Sequence, residues 1–275
     1  MTYATIMVQL DLEYPSSSAL RITCELASRF KSHVIGVAAG LPDAVIRDGG
    51  LVAPSVLEYD DRNLSHALAG CEQRFRAALH PLCNSVEWRC ATAQPADFLA
   101  AEVRAADLLI VGQAERGSRG GAMGSLDIGD AVMKCGRPML IVPPRMTSLA
   151  VNRIFVAWKE TAEARRAIAA ALPLLQQAQD VMIVELIPDE AEVTQAAKRL
   201  SDVARWLLSH RVVANTRVEL SSDDDGKQLD FLADDYNSDI ILAGAYGHSR
   251  LREWVFGGVT RHLLEQASTC SLLMH

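Results

Sequence analysis

The sequence predicts an α/β fold built from two similar doubly wound domains in tandem. Strand-like and helix-like segments alternate as βαβαβαβαβ, and this order occurs twice along the 275 residues. The strand-like segments are short runs rich in Val, Ile and Leu, which is typical of parallel sheets covered by helices on both faces. Residues 124–142 also align with residues 257–275 without a gap, and both segments begin at a glycine and end in a strand. We therefore infer duplication of one domain of about 130–140 residues.

The first domain is expected to span residues 1–143 and to contain five strands. Its first helix is indicated by Ala19, Cys24 and Ala27, which recur at helical spacing. We interpret residues 40–58, which contain glycine and proline, as a loop. The strands are predicted at 5–10, 33–37, 85–91, 108–112 and 139–142, and the later helices at 58–82, at 95–106 and after the glycine-rich stretch 112–125.

A linker is expected at residues 144–150. It follows Pro143 and Pro144, because two prolines can continue neither a strand ladder nor a helix interior. The second domain, residues 151–275, repeats the order of the first, and Pro173 is expected to kink its first helix. Its strands are predicted at 153–158, 181–186, 212–220, 240–244 and 271–274, and its helices at 161–178, 190–209, 227–237 and from about 258.

The composition argues against several classes of protein. The 27 Lys and Arg against 34 Asp and Glu give a net charge of −7, unlike that of a general nucleic-acid-binding protein. No apolar run approaches the roughly 20 residues of a membrane span, and the start lacks the basic segment of a secretory signal, so a cytoplasmic protein is expected. The six cysteines form no C-x-x-C pair, and the four tryptophans are dispersed. We interpret the cysteines as buried reduced thiols, the tryptophans as packing residues, and predict no metal site.

The loops after the first and fourth strands are the candidate sites. In doubly wound sheets, ligands bind beyond the carboxyl ends of the strands, where the strand order reverses. In the second half, Gly244 and Gly247 follow the fourth strand, and Gly257 and Gly258 open the last helix. A glycine-rich loop that opens a helix presents free N–H groups and the positive end of a dipole, and both favour phosphate.

This loop carries a resemblance to a known family. The spacing G-x2-G-x9-G in GAYGHSRLREWVFGGVT (244–260) resembles the nucleotide loop of the universal stress protein family, and VAWKETAEARRAIAAALPLL (156–175) resembles its first strand and helix. The resemblance covers both halves and implies flavodoxin-like, HUP-type domains, each a five-stranded parallel sheet of order 3-2-1-4-5. It also implies a pseudo-dimer within the chain, paired through the last strands, and ATP or another adenine nucleotide as ligand, with Mg²⁺ only as its counter-ion.

The first half departs from the family's site in its loop, which lacks the second glycine and is one residue shorter. Asp11 ends its first strand, and Gly112, Gly124 and Ser125 match the family's positions. Glu115, however, lies where a second loop glycine is expected, and its carboxylate would repel phosphate. The first-domain site is therefore interpreted as degenerate.

The second half departs in the complementary way. It has the three loop glycines, but Lys159 replaces the acidic residue at the end of the first strand, and Gly258 replaces the hydroxyl residue after the last glycine. Thr260 offers a hydroxyl nearby, and the backbone donors remain. A nucleotide is therefore expected here, at Lys159, Gly244, Gly247, Gly257, Gly258 and Thr260.

No catalytic residue is assigned, because the sequence fixes no nucleophile, positioned base or metal-bound water. The leading interpretation is a tandem universal stress protein that acts as a stress-response module and binds adenine nucleotide in its second domain. Two alternatives stay open, namely a weak adenine-nucleotide hydrolase or transferase and a protein-interaction module with both sites degenerate. Neither nucleic acid nor a membrane is expected as a partner, and a homo-oligomer of whole chains is left open.

Overall fold

The computed structural model describes residues 2–12, 17–42, 53–79, 85–113, 125–246 and 258–275. By its contacts, the chain divides into two compact units. The first contains Thr2–Arg137 and Val142–Ser148, and the second contains Pro138–Ile141 and Leu149–His275. A segment of four residues from the first half of the sequence thus belongs to the second unit.

The first unit is a parallel sheet with helices between its strands. Its strands lie in the order β3-β2-β1-β4, with β1 between β2 and β4 in parallel register. The elements are β1 (Thr5–Gln9), α1 (Ser17–Phe30), β2 (His33–Gly40), α2 (Pro54–Leu79), β3 (Val86–Thr92), α3 (Pro95–Glu102), β4 (Leu108–Gly112) and α4 (Ile128–Cys135).

The second unit repeats this α/β arrangement, as predicted. Its own five strands lie in the order β10-β9-β6-β7-β8, which is the predicted order 3-2-1-4-5 when they are counted along the chain. They are parallel to one another. The elements are β5 (Met139–Val142), β6 (Arg153–Trp158), α5 (Ala162–Ala170), α6 (Leu172–Leu175), β7 (Asp180–Ile187), α7 (Val193–Ser209), β8 (Asn215–Leu220), α8 (Asp225–Asp235), β9 (Ile240–Gly244), α9 (Gly258–Glu265) and β10 (Cys270–Met274).

Strand β5 completes the sheet of the second unit. It pairs antiparallel with β10, with Leu140 opposite Leu272 and Met139 opposite Leu273, and all four side chains are buried. The pairing predicted between the last strands of the two halves is therefore present. An apolar edge of β10 that would otherwise template association with other chains is covered.

Two helices depart from their predicted bounds. Helix α2 begins at Pro54, inside the segment interpreted as a loop, because proline fits the first turn of a helix, where its missing N–H costs nothing. Its periodic buried positions begin only at Asp60, which is why the sequence pattern did not reveal the first turns. The predicted kink at Pro173 is confirmed, since the helix breaks at Ala171 into α5 and α6.

Three side chains predicted to be buried or paired in a sheet lie at the surface. Strand β8 begins at Asn215, not at residue 212, and Val213 before it is 75% exposed. Trp206 is 38% exposed, with its ring 4.5 Å from that of His210. Cys90 is exposed, whereas Cys24, Cys71, Cys135 and Cys270 are buried thiols that form no disulfide with one another, and Cys83 lies outside the described residues.

A search of the described residues for a helix both long and apolar enough to cross a lipid bilayer found none.

Candidate functional site

The candidate site of the second unit lies where β6 and β9 end. These neighbouring parallel strands are in register from Ile154 opposite Ile240 to Ala157 opposite Ala243. Their carboxyl ends therefore lie at the same edge of the sheet, which is the edge where doubly wound folds bind ligands. Lys159 directly follows β6, Gly244 ends β9, and α9 begins at this edge because it leads from β9 back to the amino end of β10.

Gly244 is needed for packing between β9 and helix α5. A Cβ atom at this position would lie 2.5 Å from the main-chain nitrogen of Ala164 and 2.7 Å from the carbonyl carbon of Glu163. Both contacts are with backbone, which cannot swing away as a flexible side chain can. Gly244 is predicted from the sequence to belong to a phosphate-binding loop, and the first turn of α5 occupies the space that its side chain would need.

Gly258 has the opposite surroundings. It is the first residue of α9, it is exposed, and a Cβ atom there would meet no heavy atom within 4 Å. No described residue therefore fills the space beside the first residue of α9, where the N–H groups lack partners within the helix and the positive end of the dipole lies. Thr260, two residues further on, is only 6% exposed, so its hydroxyl lies in the packed part of the helix and not beside Gly258 at the surface.

Lys159 is the cation of this edge whose side chain forms no ion pair with any described residue. Its neighbours Arg165 and Arg166 are engaged, since Arg165 contacts Glu160 and Arg166 lies 2.7 Å from Glu163. Lys159 is exposed and stands between the end of β6 and the Thr161 cap of α5. It can therefore reach an anion without giving up an existing ion pair.

The end of the neighbouring strand β7 is closed by a buried ion pair. Glu185, 5% exposed, is held by Arg199 of α7 through contacts of 2.6 Å to Nη2 and 3.1 Å to Nε. The Glu185 carboxylate raises the pKa of the Arg199 guanidinium above its ordinary value. Trp158 lies opposite Glu185 in the register, is 6% exposed, and its Nε1 has no hydrogen-bond partner among the described residues.

Glu163 carries a negative charge close to Gly244. Its burial alone would raise its pKa, but the N–H of its own backbone, the Thr161 hydroxyl, Arg166 and His275 outweigh that effect, so the pKa of Glu163 is lowered. His275 is fixed nearby, with its Nδ1 3.1 Å from the carbonyl oxygen of Ala245.

In the first unit, carboxylates lie at the corresponding edge and at the amino end of the following helix. Asp11 and Gly112 follow the neighbouring parallel strands β1 and β4, so they lie at one edge, and both are half-buried. Ser125 is exposed ahead of α4. The Asp127 side chain caps α4 by accepting from the Asp130 N–H at 3.0 Å, so a carboxylate already occupies the amino end of this helix. The gapless alignment of the two halves puts Thr260 at the position of Asp127.

Several predicted site residues lie outside the described residues, namely Gly124, Gly247 and Gly257 together with Glu115. Within the described part of the chain, no group of three or more His, Cys, Asp or Glu side chains could hold a metal ion.

Four residues at this edge were not predicted as site residues from the sequence, namely Trp158, Glu163, Glu185 and Arg199. The signal for Glu185 was present, since it is the acidic residue near the end of the otherwise apolar strand VMIVEL. Its partner lies 14 residues away on the next helix. No spacing rule for a single helix or strand could have paired them.

Comparisons with known proteins extend the description of the fold. The structure is similar to the crystal structure of a universal stress protein from Archaeoglobus fulgidus DSM 4304, with a TM-score of 0.71 and 12% sequence identity. The match covers 98% of this chain and 95% of that protein's chain. It is also similar to a functionally unknown protein from Pseudomonas aeruginosa PAO1, with a TM-score of 0.64, 14% identity, and coverage of 99% and 92% of the two chains. No family model and no curated protein matches the sequence. At these identities the likeness concerns the fold.

Proposed function

We propose that this chain is a tandem stress-response module of the universal stress protein type, located in the cytoplasm, whose second unit binds ATP or another adenine nucleotide. The phosphates would lie between Lys159 and the amino end of α9. No catalytic residue is assigned, and Mg²⁺ would accompany the nucleotide only as its counter-ion.

The observation that carries this proposal is the contrast between the two corresponding helix ends. Among the described residues, the space beside Gly258 at the amino end of α9 is empty, and Lys159 at the same sheet edge forms no ion pair. In the first unit, the Asp127 carboxylate caps α4 and would repel a phosphate. A helix end with open N–H groups and a nearby cation attracts anions, and phosphate is the anion that such sites commonly bind.

Substitutions at Gly258 test this assignment in the full-length chain. Isothermal titration with ATP should show binding to the wild type, and Gly258→Glu should weaken it about 10- to 100-fold, because a charged hydrogen bond is worth about 1.5–3 kcal/mol. Gly258→Ala is the matched control. Its methyl group enters open space, so its affinity should stay close to that of the wild type.

Two results would contradict the proposal. If the wild type binds no adenine nucleotide at millimolar concentrations, the nucleotide assignment is wrong. If Gly258→Glu binds like the wild type while Asp11→Ala abolishes binding, the site lies in the first unit. A metal-dependent ATP turnover above roughly 1 per second, within the usual range of enzymes, would instead favour a hydrolase.

One observation favours the alternative of an interaction module without a nucleotide. Trp158 and the ion pair of Glu185 with Arg199 fill the carboxyl ends of β6 and β7, where a planar base would have to be accommodated beside the phosphates. Trp158→Ala distinguishes the two functions. If Trp158 blocks the base, this variant should bind ATP more tightly than the wild type, and if the indole stacks on the base, the variant should bind it more weakly.

A further inference from the structure

Strand β8 is the outer strand of the second unit. It pairs with β7 on one side, and no described strand pairs with it on the other. The Ser221 N–H donates to the Ile187 carbonyl at 2.7 Å, which fixes the direction of the ladder. Because alternate residues of a strand direct their main-chain groups to the same side, Thr216, Val218 and Leu220 present N–H and C=O groups away from β7. Among the described residues, the groups of Thr216 and Val218 are available to another strand, whereas the Leu220 carbonyl already accepts from Nε2 of Gln228 at 2.7 Å.

The charges on this strand are self-complementary. Arg217 and Glu219 flank Val218, project from the same face, and form an ion pair within the strand. If a second copy of β8 pairs antiparallel about a two-fold axis at Val218, each Arg217 lies opposite the other copy's Glu219. The same register makes Val218 a hydrogen-bonded pair with its own copy and puts Thr216 opposite Leu220, whose carbonyl would exchange its bond with Gln228 for one with the second copy. Arg217 and Glu219 then occupy the non-hydrogen-bonded position, where opposing side chains are closest.

Exposed apolar side chains lie at both ends of β8. Helix α7 leads from β7 back to the start of β8, so its first residue Val193 lies near the end of β8 and Leu208 lies near its start. Val193 and Leu220 are 42% and 45% exposed, and Leu208 and Val213 are 59% and 75% exposed. An antiparallel pairing brings Val193 and Leu220 of one copy toward Leu208 and Val213 of the other. It would bury apolar surface that the single chain leaves in water.

We propose that the chain forms a homodimer by antiparallel pairing of β8 with β8 of a second copy, centred on Val218. The interface consists of the outward main-chain groups of β8, two symmetry-related Arg217–Glu219 pairs, and the apolar side chains at its two ends.

Strand β3 offers a comparison, because it is the outer strand of the first unit and carries Glu87 and Arg89 in the same relation. The arginine of β3 already forms a second ion pair within its own chain. Arg89 also binds Glu102 of α3 at 2.6 Å, and its side chain is 25% exposed. Arg217, by contrast, has Glu219 as its ion-pair partner among the described residues and is 48% exposed. The two strands therefore provide a proposed interface and a matched control.

Sedimentation velocity of the full-length chain tests the proposal. The wild type should sediment as a dimer at micromolar concentrations. Arg217→Glu puts glutamate opposite Glu219 in both pairs, and it should raise the dimer dissociation constant about tenfold or more, because opposite charges become like charges. The exchange Arg217→Glu with Glu219→Arg restores opposite charges across the axis and should restore the dimer. Arg89→Glu should leave the dimer intact.

A proline substitution tests the main-chain part of the interface. Val218→Pro removes an N–H that points away from β7, so the ladder with β7 keeps its hydrogen bonds while the proposed pairing loses its two central ones, one from each copy. This variant should be monomeric, with a circular dichroism spectrum like that of the wild type. A monomeric wild type, a dimer unaffected by Arg217→Glu, or a dimer dissociated by Arg89→Glu alone would each overturn the proposal. Failure of the double charge exchange to restore the dimer would also overturn it.

Discussion

Two glycines of the candidate site have opposite reasons for being glycine. At Gly244 the backbone of α5 fills the volume that a side chain would need, so the residue is fixed by packing between a strand and a helix. At Gly258 that volume is empty, so packing does not require glycine there. The absence of a side chain at Gly258 keeps a helix end accessible. We therefore expect any side chain at Gly244 to lower stability, and only a large or charged side chain at Gly258 to weaken ligand binding.

This contrast is measurable by chemical denaturation. Gly244→Ala should lower the free energy of unfolding by about 1–3 kcal/mol, because the new methyl group overlaps the main chain of Ala164 and Glu163. Gly258→Ala should stay within about 1 kcal/mol of the wild type, since alanine is the better helix former and meets no neighbour. Equal urea midpoints for the two variants would show that α5 moves away from β9 without cost.

Strand β7 and helix α7 are joined by the ion pair of Glu185 with Arg199. The pair lies at the end of the strand next to the buried Trp158, so it sets how closely α7 packs on the sheet at the candidate site. A buried ion pair adds little stability over an apolar pair of the same size, but removing one partner leaves an uncompensated charge. The packing of α7 on β7 should therefore be stable when both charged residues are present or both are absent, and less stable when only one of them is present.

A pair of variants separates these effects. Arg199→Met should lower the free energy of unfolding by about 3–5 kcal/mol, because the Glu185 carboxylate stays buried without its partner. The double variant Glu185→Met with Arg199→Met should recover most of this loss. Urea titrations followed by circular dichroism provide the measurement. A double variant no more stable than Arg199→Met alone would show that packing around the guanidinium, not its charge, supports α7.

Strand β5 connects the two halves of the sequence by its pairing rather than by the linker alone. Its residues Met139–Ile141 belong to the compact unit formed by the second half, although they precede the linker. A cut in the chain after β5 would therefore leave the first half attached through the ladder of β5 with β10. The exposed residues Thr147 and Ser148 mark a place where such a cut is accessible.

A protease site inserted between Met146 and Leu149 tests this attachment. After complete cleavage the two fragments should co-elute in size-exclusion chromatography under native conditions. In a matched variant with Leu272→Asp, a carboxylate enters the buried ladder opposite Leu140, and the cleaved fragments should separate. Fragments that separate without the substitution would show that the ladder is too weak to hold them.

The fold was largely predictable because its signals are local. Short apolar strands such as β4 and β9 have the same bounds in the sequence pattern and in the structure, and Pro173 broke its helix as expected. The candidate site was less predictable because its determinants join distant segments. The space beside Gly244 is filled by a helix about eighty residues earlier in the chain, and Arg199 neutralises a strand residue from the next helix. No local pattern records either contact.

The pairing of β5 with β10 also bears on how the polypeptide is made. At ribosomal rates of about 5–20 residues per second, β5 leaves the exit tunnel on the order of ten seconds before its partner β10 exists. During that interval the nascent chain carries four consecutive apolar residues, Met139–Val142, with their final neighbour not yet synthesised. Neighbouring ribosomes on one messenger expose the same segment at the same time. The speed of translation across residues 143–269 therefore sets how long the nascent chain depends on chaperones to avoid associating with other nascent copies.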